Sequence, residues 1–196
     1  MKHFYAYLSR MKFIQRWGLM RNTQPENDME HALQAALIAH GLAILADTRF
    51  HRQVDPEHVM ALAVYHDAGE VITGDLPTPV KYHNPFMRTE YKKLEDLAAQ
   101  TLLSMLPEDM QSAYQPYLVH AEDNYEWRLV KAADRICAYI KCVEEEKAGN
   151  TEFHLAKASV LKSIQEIDMP EVQAFMAEFV PSFALSLDEL SGGGGL

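Results

Sequence analysis

The amino-acid sequence predicts an all-α protein. Apolar residues recur at three- and four-residue spacing along most of the chain, several of these segments open on helix-capping signatures, and no alternating run of useful strand length interrupts them. Asn27 followed by Glu30 predicts a capping box. Leu33, Leu37, Ile38, Leu42 and Leu45 then mark the apolar stripe of a helix of about five turns. Asp55-Pro56 combines an N-cap with a proline at the first helical position, opening a helix through Met60, Ala61, Val64 and Tyr65. Gly74, Pro77 and Pro79 break that pattern. A long amphipathic helix is expected from about Pro85 to Leu106, followed by a looser proline-containing segment. Further helices are expected from about Asn124 to Ala148, Leu155 to Ile167 and Glu171 to Phe179. The spacing shows no internal repeat. Residues 1–190 read as one domain, and 191–196, SGGGGL, as a flexible glycine-rich tail without a packing role.

Composition narrows the classes of function. With 196 residues, 48% hydrophobic and 23% charged, the chain is globular and long enough for a single core. The uncharged stretch from His31 to Ala46 is shorter than the ~20 residues of a membrane span. The N-terminal segment scatters Lys and Arg through its apolar positions, unlike a signal peptide, so a cytoplasmic location without membrane association is expected. Cys137 and Cys142 fall on different faces of one helix and read as two buried free thiols. A net charge of −10 argues against a nucleic-acid polymer as partner, because that affinity comes from neutralising many phosphates. A single phosphate needs only a local positive focus, which one metal and one arginine supply.

The stretch YHDAGEVITGDLPTP concentrates ligand-type side chains. His66 and Asp67 diverge by about 100° on a helix, so they can lean toward one point from either side. Asp134 sits at the edge of the stripe Leu129, Ala133, Ile136 and Ile140, where a carboxylate wants a cation. With His31, these residues make a borderline-to-hard donor set suited to Mn, Fe, Co, Ni or Zn. Spacing alone leaves alternatives open: Asp67 as a helix-end turn residue, Asp134 as a surface partner of Lys131 or Arg135, and Glu30 as a cap. Glu70, three residues after Asp67, is expected on the same face if the helix continues.

The order His31, His66-Asp67, Asp134 resembles the H…HD…D signature of the HD superfamily of metal-dependent phosphohydrolases, an all-α helical bundle. YHDAGEVITGDLPTPVKY, Gln15-Arg16-Trp17, RNTQPENDMEH and FVPSFALSLDEL are similar to the bacterial HD-domain 5′-deoxynucleotidases of the YfbR type, over about residues 3 to 190. NDMEHA departs from the serine more often found before the Glu-His pair. The resemblance implies hydrolysis of 2′-deoxyribonucleoside 5′-monophosphates to deoxyribonucleoside and phosphate, with selection against ribonucleotides. It implies one divalent metal on His31, His66, Asp67 and Asp134, with Co2+ or Mn2+ first and Zn2+, Fe2+, Ni2+ or Cu2+ also compatible. Glu70 is implied in acid/base catalysis and Arg16 in orienting the phosphate. Trp17, Asp67, Asp75, Leu76, Pro77, Thr78 and Asp134 are implied in holding the substrate, and a homodimer is expected. The alternatives are another HD phosphohydrolase, acting on a cyclic nucleotide, a dNTP or an alarmone, and a non-catalytic module that senses nucleotides.

Overall fold

The computed structural model describes residues 1–81, 83–119 and 124–192, with residues 78 and 79 as backbone only. The end of the glycine-rich tail, 193–196, therefore lies outside the described residues. Eleven α-helices occur among those described: α1 (Phe4–Leu8), α2 (Asp28–Phe50), α3 (Pro56–Tyr65), α4 (Glu70–Thr73), α5 (Thr78–Lys81), α6 (Pro85–Ser104), α7 (Glu108–Leu118), α8 (Tyr125–Lys147), α9 (His154–Gln165), α10 (Pro170–Glu178) and α11 (Leu187–Leu190). The only extended pairing among them is an isolated antiparallel bridge between Gln15 and Asn27. The fold is an all-α helical bundle.

Local chemistry starts the helices where the sequence marks them. Asn27 accepts from the backbone of Met29 and Glu30 while Glu30 accepts from Asn27 N, completing the capping box of α2. Asp55 caps α3 through His58 N, and Asn124 caps α8 through Glu126 N. The segment expected to be loose folds as α7, which carries Pro116 within it.

The main core lies between α2, α3, α8 and α10, with Leu42, Leu62, Leu129, Ile136, Ile140 and Val172 almost fully enclosed. A second cluster joins Phe4, Ala68, Leu102, Leu106 and Leu118. The expected stripe of α2 holds at Ile38, Leu42 and Leu45, which are buried, and is corrected at two positions. Leu33 and Leu37 are 62% and 64% exposed, whereas Ala35, Ala36, Ala39, Ala43 and Ala46 are buried. Small residues let neighbouring helices approach α2 closely: a Cβ placed on Gly41 would lie 3.3 Å from the Phe175 ring. By length and composition α2 could cross a membrane, with mean hydropathy 1.3 over its most apolar window, which corrects the expectation of no such segment. Much of that window is buried against other helices, as in the core helix of a globular protein. Cys137 and Cys142 are buried free thiols, as expected.

A buried polar clamp fixes the loop before α2. Glu145, on α8, accepts from Thr23 N at 2.9 Å, Thr23 Oγ1 at 2.6 Å and Asn150 Nδ2 at 2.8 Å, and pairs with Lys141, which also donates to Gln24 O. Burial alone would push the Glu145 carboxyl up, but the bonds from Lys141, Thr23 and Asn150 hold it well below the usual range. Glu145→Ala leaves the Lys141 ammonium enclosed without its anion, at a cost of about 3 to 5 kcal/mol. At roughly 2 to 4 °C per kcal/mol for a chain of this size, thermal melting should show Tm lowered on the order of 10 °C.

Candidate active site

The α2 N-terminus, the turn after α3 and the middle of α8 meet at one point. His31 is wholly buried, and its Nε2 stands 3.3 Å from His66 Nε2 and 3.3 Å from Asp134 Oδ1. His66 caps the end of α3, with Nδ1 2.8 Å from Ala63 O. A carbonyl only accepts, so that contact places an N–H on Nδ1, and Nε2 is the ring nitrogen that faces His31. Ligand atoms of His31, His66 and Asp134 all lie within 4.8 Å of one another.

Asp67 is at the rim of this cluster. Its Oδ2 is 3.0 Å from His66 Nε2 and 3.5 Å from His31 Nε2, but also 3.2 Å from Arg16 Nη1, so it is shared between the cluster and the arginine. The second Asp134 oxygen pairs with Lys131 Nζ at 2.8 Å. The reading of Asp134 as a partner of Lys131 and its reading as a ligand thus hold for different oxygens of one carboxylate. Burial would raise both carboxyls. The His66 ring holds Asp67 down instead, and Lys131 with His31 holds Asp134 down. Two imidazole nitrogens and two carboxylates kept ionised around one point form a donor set that fits a divalent cation.

Arg16 stands beside the cluster on the loop that the Gln15–Asn27 bridge draws against α2. Its backbone N donates to Glu26 O at 2.9 Å. Its guanidinium is mostly buried and meets Glu26 at 3.0 Å, Asp67 at 3.2 Å, and Asp28 and Asp134 at 3.9 Å each. Glu26 Oε1 is also 3.4 Å from His31 Nδ1, so one carboxylate touches both the arginine and the far side of the histidine. Trp17 has φ 56, a left-handed conformation that a bulky side chain seldom adopts. Asn22 Nδ2 donates to its carbonyl at 3.3 Å and Met20 N at 2.9 Å. Its indole packs on Phe153, centroids 5.3 Å apart, with Nε1 buried and lacking a partner.

Glu70 is not on a continuation of α3. That helix ends at Tyr65, a tight turn through Gly69 intervenes, and Glu70 opens the separate short helix α4. The turn still brings its carboxyl inward. Burial, with the Asp67 charge adding to it, pushes the Glu70 carboxyl up to about 9 against the pull of Lys81. Lys81, on α5, donates to Glu70 Oε1 at 2.9 Å and stands 3.9 Å from Asp75 Oδ1.

These groups open on a cleft of about 1710 Å³ lined by Arg16, Trp17, His66, Asp67, Glu70, Asp75, Pro77, Lys81 and Asp134. Away from the cluster the lining mixes cations (Arg88, Lys92, Arg128, Arg135) with acidic residues (Glu95, Asp96, Glu166, Asp168). His31 sits behind the wall. Leu76 is half-buried between Asp75 and Pro77 and is not among the residues that line the cleft, and the Thr78 side chain lies outside the described residues. Lys81, Glu26 and Asp28 went unmarked in the sequence, because only the tertiary fold brings them to the site. Their one local signal is proximity to LPTP and to the α2 cap.

An all-α bundle carrying this His/Asp cluster beside a buried arginine is the architecture of an HD-domain metal-dependent phosphohydrolase. An HD-domain phosphohydrolase from Listeria innocua superposes with TM-score 0.81 at 22% identity, covering 96% of this chain and 92% of that one. The cyanophage S-2L HD phosphohydrolase, bound to dA and one catalytic Zn2+ ion, superposes with TM-score 0.56 at 21% identity, covering 91% and 95%. The chain belongs to the YfbR-like 5′-deoxynucleotidase family, whose pattern matches residues 3–183. The 5′-deoxynucleotidase of Vibrio parahaemolyticus is 53% identical over 190 residues, covering 96% of this chain and 98% of that protein. That of Erwinia tasmaniensis is 52% identical over 190 residues, covering 96% of each. The chain is a metal-dependent hydrolase with a divalent cation as cofactor.

Because the Glu26 carboxylate stands 3.4 Å behind the His31 ring, Glu26→Ala should weaken divalent-metal affinity by about 10- to 100-fold. Calorimetric titration of the metal-stripped protein measures this directly, and unchanged affinity would remove Glu26 from the site.

Proposed function

We propose that this 5′-deoxynucleotidase holds the phosphate of a 2′-deoxyribonucleoside 5′-monophosphate between a divalent cation on His31, His66, Asp67 and Asp134 and the guanidinium of Arg16, with Glu70 as the acid/base group. The observation that carries this reading is Asp67, whose single carboxylate touches both histidines and Arg16. A group bound at the cluster is therefore within reach of the arginine. Bound there, the cation supplies Lewis-acid polarisation of the phosphate and lowers the pKa of nearby water. Co2+ and Mn2+ are the metals we propose, and the same donors accept Zn2+, Fe2+, Ni2+ and Cu2+.

Arg16 offers a planar fork to two phosphate oxygens, and the carboxylates round it hold that fork in place and permanently charged. In the reaction a water oxygen bonds to phosphorus and gives up a proton, the bond from phosphorus to O5′ breaks, and O5′ takes up a proton from an acid group that the water's proton then restores. Burial pushes the Glu70 carboxyl up, in keeping with the role we give it as donor to the departing O5′. Lys81 holds its other oxygen. Asp75 and Pro77 would border the nucleoside, and Trp17 would lie against the deoxyribose. The partner we propose is a second copy of the chain, in keeping with the exposed stripe of Met29, Leu33, Leu37 and Ile44 on α2.

The test is a panel of deoxy- and ribonucleotides on metal-stripped protein with Mn, Co, Mg and Zn restored singly. Inorganic phosphate and nucleoside from dNMPs are expected. Pyrophosphate from dNTPs or opening of cyclic nucleotides as the main activity would replace this reading. Asp134→Ala should lose both bound metal and phosphate release. Glu70→Ala should keep metal and nucleotide binding while turnover falls by about 10²-fold or more. Equal metal loss in both variants would erase that division of labour.

Sugar selectivity gives a second check. An apolar ring over C2′ forces a ribonucleotide to clash or to bury a hydroxyl without a partner, costing roughly 1 to 3 kcal/mol, or about 5- to 150-fold. Trp17→Ala should therefore narrow the ratio of kcat/KM between dAMP and AMP. An unchanged ratio would move selectivity to the segment from Asp75 to Pro77.

A further inference from the structure

Something must hold Trp17 in a backbone conformation that its own side chain disfavours. A tryptophan at φ 56 is strained, and such strain persists only where the surroundings over-determine it. Burial of the turn's tip does not supply the hold. Gly18 and Leu19 are exposed, Leu19 at 78%, and a Cβ placed on Gly18 would meet nothing beyond its chain neighbours except Gln15 O at 3.9 Å. Nor does the indole N–H supply it, since Nε1 has no partner among the described residues. The hold lies in hydrogen bonds to the carbonyls of the turn. Met20 N donates to Trp17 O at 2.9 Å and closes it, while Asn22 Nδ2 donates to Trp17 O at 3.3 Å and to Met20 O at 3.0 Å. One side-chain amide thus fastens the first and last residues of the turn together. Asn22 itself stands on a fixed base, because Thr23 is bound to Glu145 and Arg21 O accepts from Asn150 Nδ2 at 2.7 Å. Its Oδ1 is buried without a donor, so the residue is kept at a cost, and its two Nδ2 bonds are what it contributes.

We propose that Asn22 determines sugar specificity as a positioning residue for Trp17: its amide locks the turn from Trp17 to Met20 so that the indole keeps one plane over C2′ of the nucleotide. Phe153 supports one face of the ring, with centroids 5.3 Å apart, and the locked turn keeps the ring from lifting away from it. Without the lock, Trp17 can return to an ordinary backbone conformation and the ring shifts, which leaves room for a 2′-hydroxyl and for water to satisfy it. Neither Asn22 bond involves a proposed metal ligand or Glu70, so the reaction itself is spared. The proposal rests on Trp17 lying against the deoxyribose.

The test uses Asn22→Ala, which removes the amide, and Asn22→Asp, which keeps its size but has no donor for the two carbonyls. Both are compared with wild type, Trp17→Ala and the double variant Asn22→Ala/Trp17→Ala, with metal bound, for kcat/KM on dAMP and AMP and for Tm. Each Asn22 variant should narrow the dAMP to AMP ratio by about fivefold or more, the usual worth of a lost hydrogen bond or two. The double variant should narrow it no further than Trp17→Ala alone, because Asn22 acts through that ring. The chain has two tryptophans, so in a Trp127→Phe background emission reports Trp17 alone, and acrylamide should quench it more readily once Asn22 is replaced. A lowered Tm with an unchanged ratio would make Asn22 a structural brace, and equal losses on both nucleotides would place its action on Arg16. Either result overturns the proposal, as does an Asp variant with the wild-type ratio or a double variant in which the two effects multiply. If Trp17→Ala leaves the ratio unchanged, the role given to Trp17 falls and this proposal with it. If Trp17→Ala narrows the ratio and the Asn22 variants do not, only the proposal fails.

Discussion

The structure turns on one buried guanidinium. Arg16 has Glu26, Asp67, Asp28 and Asp134 within 4 Å, drawn from its own loop, the start of α2, the turn after α3 and the middle of α8. Packed together without a cation, these carboxylates would repel, and burial would force some to take up protons. The arginine lets three helical elements close on one point, and much of the neighbouring architecture holds it there. The Gln15–Asn27 bridge sets its backbone, the capping box sets the start of α2, and Glu145 ties the intervening loop to α8. A chain of net charge −10 thus encloses one guanidinium among four carboxylates at the point where its helices meet.

What was legible in the sequence was local. Asn27 with Glu30 and Asp55 with Pro56 mark their helix starts because capping is decided within four residues. The stripe Leu129, Ala133, Ile136 and Ile140 is buried on α8 as its spacing requires. On α2 two of the larger residues misled. Ile38, Leu42 and Leu45 are buried as their spacing requires, but Leu33 and Leu37 are exposed, and alanines that admit neighbouring helices closely complete the buried face, a choice set by packing distance and invisible to periodicity. Glu70 was placed on the right side of the site by the wrong route, since a turn and a new helix do what a continuous helix was expected to do.

The site divides in the same way. His66 and Asp67 are neighbours in sequence and announce themselves as a pair. Glu26, Asp28 and Lys81 are ordinary charged residues until the fold brings them to His31, Arg16 and Glu70. Trp17 stands between the two cases. The family resemblance implies a substrate role for it, and the structure shows a packing contact with Phe153, a strained backbone and a place in the cleft lining, so the same ring serves the core and the cleft wall.

The spread of the cluster along the chain bears on its assembly during synthesis. His31, His66 and Asp67 leave the ribosome well before Asp134, and the clamp that seats the arginine loop waits for Glu145 and Asn150. Until α8 has emerged and docked, the growing chain offers a pair of histidines and one aspartate without the remaining carboxylate. The cluster of His31, His66 and Asp134 comes together only when the bundle closes, which couples any cation held there to folding.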